Sequence, residues 1–64
     1  MRVNGEEIIL GCELTLRAFL EREGYAAERV AVEKNGGIIP KAKYDTEFVG
    51  DGDRLEIVAF VGGG

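Results

Sequence analysis

Gly62-Gly63-Gly64 closes the sequence, and the chemistry such a run offers is that of a main-chain carboxylate on Gly64 held clear of any side chain. Glycine loses the most conformational entropy on ordering and buries no side chain, so a packed domain gains nothing from it there. A narrow enzyme channel does gain, because backbone without Cβ atoms passes where ordinary chain would clash, and three residues at ~3.3 Å each reach about 10 Å. A terminal carboxyl with a pKa of roughly 3.5 is ionised near neutrality and resists nucleophiles. Activation must come first: adenylation by ATP converts it to a mixed anhydride, from which a thiol, persulfide or amine displaces AMP. The chain carries no phosphate loop for that step, since Gly36-Gly37 and Gly50-Asp51-Gly52 lack the Lys-Ser/Thr that must follow. The protein therefore reads as the substrate or carrier of the reaction and not its catalyst. The competing account is an idle terminus or an expression remnant; against it, the glycines follow an apolar run directly, whereas flexible linkers are mixtures of Gly and Ser.

Other side chains invite chemistry less. Cys12 precedes a helix, where a thiol pKa can fall. With no His and no second Cys to activate or resolve it, it is expected to pack in the interior, as free cysteines commonly do. Asp51 and Asp53 flank Gly52 without the twelve-residue calcium pattern or its closing Glu, and read as turn formers. In the last strand Leu55, Ile57 and Ala59 alternate with Glu56, Val58 and Phe60. If the first set faces a helix, Val58 and Phe60 lie on the open face, offering either a docking surface beside the tail or a small outer cluster with loop residues.

The 64 residues bear a formal net charge of −4, with eight basic residues scattered along the chain. This excludes the basic footprint of a nucleic-acid binder and suits a partner with a basic docking surface. Hydrophobic content of 45% and charged content of 31% are those of a folded domain. One cysteine permits no internal disulfide and fits a reducing compartment. No secretion signal opens the chain, and no apolar run approaches the ~20 residues of a membrane helix. The expected setting is the cytoplasm, with no membrane, no nucleic acid and no metal.

These groups must be positioned by a small set of elements. Residues 1–4 alternate and run into Asn4-Gly5, which supplies the positive φ angles of a tight hairpin, with a return strand over 7–10. Thr15 caps a helix whose Leu16, Phe19 and Leu20 share one face, with Leu14 and Phe19 as a hydrophobic staple and Gly24 as the stop. A strand over 30–34 ends at Asn35-Gly36-Gly37, and Ile38-Ile39 leads to Pro40 at a strand end or sheet edge. Residues 41–49 read as loop with a short helical turn, and 55–61 as the last strand. One helix covers one face of a small sheet, so the last strand belongs beside the first. The predicted core is Val3, Ile8, Leu16, Phe19, Leu20, Val30, Val32, Leu55 and Ile57. That is an α+β fold of β-grasp type: a small mixed sheet with one crossover helix on one face, a domain over 1–61 and a flexible glycine tail over 62–64.

Three segments stand out in order: Val32-Glu33-Lys34-Asn35-Gly36-Gly37-Ile38-Ile39-Pro40, Asp51-Gly52-Asp53-Arg54-Leu55-Glu56-Ile57-Val58, and Phe60-Val61-Gly62-Gly63-Gly64. Together they resemble the ThiS-type sulfur carrier proteins of thiamine biosynthesis, which are ubiquitin-like β-grasp domains. The resemblance covers essentially the whole chain, with Tyr44 standing where the family more often has Trp. It implies that an E1-like enzyme uses ATP to adenylate Gly64, that sulfur from a cysteine desulfurase or another persulfide donor replaces AMP to leave a thiocarboxylate on Gly64, and that thiazole synthase consumes the sulfur. Gly63 and Gly64 would thread into partner active sites, Gly62 would add reach, and Phe60, Val58 and Val61 would serve recognition, with no cofactor bound by the chain itself. The small subunit of molybdopterin synthase shares the tail chemistry and stays open as an alternative. So does, with less support from the apolar Phe60-Val61, a ubiquitin-like modifier; a purely structural interaction module would tolerate loss of the glycines.

Overall fold

The computed structural model describes residues 1–60 of the 64. Strand β1 (Arg2–Val3) turns at Asn4-Gly5 into β2 (Glu6–Glu7), and the positive φ angles of Asn4 (50°) and Gly5 (85°) are those a two-residue hairpin requires. A two-residue strand β3 (Leu14–Thr15) leads into helix α1 (Leu16–Arg22). After a 3₁₀ turn at Ala27–Arg29 come β4 (Val30–Lys34), a second tight turn at Asn35-Gly36, and β5 (Gly37–Ile39). A 3₁₀ turn at Lys41–Lys43, β6 (Phe48–Val49) and β7 (Arg54–Ala59) complete the order.

The main sheet runs β2-β1-β7-β4-β5, and β3 pairs with β6 apart from it. Strand β7 lies parallel to β1, with Arg2 opposite Arg54 and Val3 opposite Leu55, and antiparallel to β4, from Val30 opposite Ala59 to Lys34 opposite Leu55. The last strand thus lies beside the first, as the β-grasp reading requires. Asn4 tightens this junction beyond its turn role. Its side chain donates to the Ile57 carbonyl (3.1 Å) and accepts from the Ile57 amide (2.7 Å), so an amide side chain continues the pairing where β1 has ended.

Helix α1 is closed at both ends by chemistry legible in sequence. The Thr15 hydroxyl accepts from the Ala18 amide at 3.2 Å. At the other end Gly24 has a φ of +87°, while its amide donates to the Glu21 carbonyl and that of Tyr25 to Leu20, the paired bonds of a Schellman stop. The first two helical amides are satisfied from a distance: Leu16 donates to the Glu47 carbonyl and Arg17 to that of Tyr44. Residues 41–49 therefore form more than the expected loop with a helical turn. They supply β6 and fasten the helix N-terminus.

The buried face of α1 (Leu16, Phe19, Leu20) packs with Val3, Val30, Val32, Leu55 and Ile57 in one core. Ile8, expected inside, is only partly buried and packs against the core from its rim. Met1, Leu10, Ala27, Ile39, Tyr44 and Val49 complete it. Tyr44 is 1% exposed, with its hydroxyl donating to the Val30 carbonyl at 3.1 Å, and burial pushes its phenol pKa up. Ala59 is exposed although its register matches Leu55 and Ile57, because β1 pairs only as far as Arg54 and Leu55 and leaves that flank of β7 uncovered.

The return strand stops short of Leu10 because its partner runs out: the register that sets Arg2 opposite Glu7 puts Met1 opposite Ile8, where the two exchange backbone bonds, and leaves Ile9 and Leu10 with no β1 residue to pair with. The Asp51 carboxylate then accepts from the amides of Leu10 (2.6 Å) and Gly11 (2.8 Å), 41 and 40 positions away. The same grip leaves Cys12 on an exposed bend after Gly11 (φ +77°). This corrects the expectation that the thiol is packed inside.

The Leu10 amide, and after it the Gly11 amide, holds the Asp51 carboxyl below its ordinary value of 3.8. A carboxylate whose pKa is depressed on folding contributes stability that is present above its unfolded pKa, about 3.9, and is lost as pH falls through the folded value. In urea titrations, the stability difference between the wild type and Asp51→Ala is expected to hold steady from pH 7 to about 5 and to shrink below about 4. A difference unchanged at the acid end of that series would show that the ionised form is not what these amides favour.

Candidate functional site

Strand β7 delivers the chain to Phe60, the last residue the structure describes. Val61, Gly62, Gly63 and Gly64 lie outside the described residues, and with them the expected reacting group and the expected tail. The two remaining site residues are placed. Val58 is 62% exposed and Phe60 53% exposed, so neither belongs to the core.

Val58 stands opposite Ala31 on β4. Together with Ile38, which is 77% exposed, they line a shallow depression of about 100 Å³ on the open sheet face. Its rim carries Glu33 and Glu56, directly opposite one another across β4 and β7. Like charges so placed repel, so this apolar patch is bordered by negative potential, in keeping with the chain's charge of −4. Ile38 was not singled out in sequence; its register opposite Glu33 at the outer strand is what brings it beside Val58.

Phe60 sits differently. Its amide donates to the Arg29 carbonyl at 2.8 Å, continuing the β7–β4 pairing one step past the strand. Its ring lies 5.1 Å from the ammonium of Lys41. The ring is half exposed at the end of β7 and also lies beside a loop residue, so both expectations for it stay open. Lys41 itself went unremarked in sequence, because a lysine after a proline in a mixed segment gives no signal of its partners.

The remaining chemistry is sparse. Among the described residues no group of three His, Cys, Asp or Glu side chains is close enough to hold a metal ion, and no helix is long and apolar enough to cross a membrane. A concavity of about 540 Å³ is lined by Arg2, Arg54, Glu33 and Glu56 among others and opens at the start of β7, the end away from Phe60. What the arrangement offers is a rigid strand that carries a half-exposed aromatic to the edge of the fold, beside an apolar patch with an acidic border.

The family model described as the ThiS family matches residues 1–64. A thiazole synthase of Paramagnetospirillum magneticum is 48% identical over 62 residues, 97% of this chain and 19% of that protein. The ycf40 protein of Pyropia yezoensis is 33% identical over 64 residues, the whole of this chain and 90% of that one. The crystal structure of a thiamine biosynthesis protein (ThiS) from Geobacter metallireducens superposes with a TM-score of 0.78 at 35% identity, covering 98% of this chain and 96% of that one. The present chain spans about a fifth of the thiazole synthases it matches, 19% of one and 20% of a second from Magnetococcus marinus.

Proposed function

This chain belongs to the ThiS family, and from that premise we propose that it is a sulfur carrier for thiamine thiazole synthesis, acting in the cytoplasm as a co-substrate of partner enzymes. An E1-like enzyme transfers AMP from ATP to the Gly64 carboxylate and releases pyrophosphate. The terminal sulfur of a persulfide, supplied by a cysteine desulfurase or a similar donor, attacks the acyl carbon as AMP departs with the bonding pair. A second thiol then cleaves the resulting acyl disulfide, leaving a thiocarboxylate on Gly64. Adenylation turns an inert anion into an electrophile, and the thiocarboxylate that follows is a nucleophile whose sulfur never diffuses free.

One observation carries this reading: the family match runs over residues 1–64, glycine run included. The division of labour fits the residues. Gly62, Gly63 and Gly64 supply reach without side chains, while Phe60, Val58 and Val61 serve recognition. Thiazole synthase is favoured as the acceptor because a polypeptide of that name contains a stretch 48% identical to this chain, placing a carrier-like segment and the synthase on one molecule.

Incubation with ATP, a persulfide donor and the cognate activating enzyme is expected to change the intact mass by one oxygen-for-sulfur exchange, mapped to Gly64 by fragmentation. Isopeptide adducts to lysines in place of that exchange would make the chain a modifier instead. Transfer of the sulfur to a pterin acceptor, with thiazole synthase inert, would make it the molybdopterin synthase small subunit.

A further inference from the structure

The ammonium of Lys41 is held by three backbone carbonyls and lies near two aromatic rings. Its Nζ donates to the carbonyls of Glu28 (2.6 Å), Val30 (3.2 Å) and Ala27 (3.3 Å), which accounts for its three hydrogens. The Phe60 ring centroid is 5.1 Å away and that of Tyr44 5.9 Å, both within the range over which a ring quadrupole attracts a cation. Tyr44 is fixed in turn by its hydroxyl on the Val30 carbonyl. The 3₁₀ turn before β4, the start of β4, the turn after β5 and the residue that follows β7 therefore meet at one charge. Of the two rings, Phe60 is the half-exposed one, and its own amide donates to the Arg29 carbonyl.

We propose that Lys41 is a positioning residue for the sulfur-loading reaction: its ammonium holds the Phe60 ring, and with it the point at which the chain leaves β7, in the orientation an activating enzyme engages. The proposal rests on the sulfur-carrier reading above. A ring free to swing about its Cα–Cβ bond must be ordered at the moment of docking, whereas a ring already held presents the same apolar surface at lower entropic cost. The three carbonyls make the cation itself immobile. A methionine at position 41 has no donor for any of them and no charge to attract a ring.

The experiment varies the ring and the cation separately. Lys41→Met, Phe60→Leu and the double variant are compared by steady-state kinetics of thiocarboxylate formation with the activating enzyme. Lys41→Met is expected to raise KM by roughly two- to fivefold, the range of an exposed cation–ring contact, with kcat little changed. In the double variant the two effects should fall short of their product, because both remove one contact. Additive losses, or an effect on kcat alone, would overturn the proposal.

Should Lys41→Met fail to fold, a series of mono-, di- and trifluorinated phenylalanines at position 60 keeps the shape and weakens the ring's pull on a cation. KM should then climb stepwise with fluorine number. A flat or falling KM, as a purely apolar anchor would give, sinks the idea. A third readout needs no partner: in Lys41→Met the Phe60 ring resonances should move toward those of an unstructured phenylalanine while the β7 amides keep their shifts. Unmoved ring resonances would overturn the latch even where loading proceeds. A wild-type chain that is never loaded would overturn the sulfur-carrier reading, with the resonances still deciding whether the latch exists.

Discussion

Removal of Gly63 and Gly64 is expected to abolish sulfur loading outright and to leave the thermal transition where it was. Adenylation needs a carboxylate that can travel into a partner's active site. Ending the chain at Gly62 shortens the reach by about 7 Å, at ~3.3 Å per residue, and a misplacement of even 1 Å can cost a hundredfold in rate. Stability should not follow, because the buried hydrophobic residues among those described lie between Met1 and Ile57, and the hydrogen bonding described between β7 and β4 runs to Phe60, ahead of the residues removed. Intact-mass spectrometry after incubation with the activating enzyme reads the first effect, and circular dichroism during heating the second. A truncated chain that still acquires sulfur would refute the assignment of the reacting group to Gly64.

Phe19→Ala is expected to leave roughly half of the molecules unfolded at 25 °C. Phe19 is fully buried at the centre of the helix face, and deleting such a ring removes its transfer energy and leaves a cavity, together about 3 to 5 kcal/mol. A domain of this size has a single core that supplies roughly 3 to 5 kcal/mol of net stability, so the loss matches the whole margin. The amide spectrum should gain a large second set of resonances with the narrow dispersion of a disordered chain, and loading should fall with the folded fraction. A cooperative melt within a few degrees of wild type would mean that the core closes over the vacancy, contrary to the packing described here.

The periodic elements were legible and the non-local ones were not. Asn4-Gly5, Thr15, Gly24 and Asn35-Gly36 each act through neighbours a few positions away, so residue type and spacing sufficed to place turns and caps. Strands β3 and β6 are two residues each, too short for any alternation to register. Tyr44 and Val49 are buried by elements that come together only in three dimensions. Cys12 shows the limit of reasoning from residue type: free thiols are commonly interior, but the backbone before this one is held by a carboxylate forty positions later. At the site, the exposure of Val58 followed from alternation along β7. Lys41 was invisible because its partners are backbone carbonyls and a ring, none of which marks the sequence.

The order of the main sheet has a kinetic corollary. Strand β7, the last in sequence, lies between β1 and β4, and the Asn4–Ile57 bonds span 53 positions. Joining the β1–β2 hairpin to the β7-β4-β5 part of the sheet therefore requires loop closure across nearly the whole chain, which slows folding for so small a domain. A single proteolytic cut within β7 would strip both β1 and β4 of their partner at once, leaving two unsatisfied edges open to self-association.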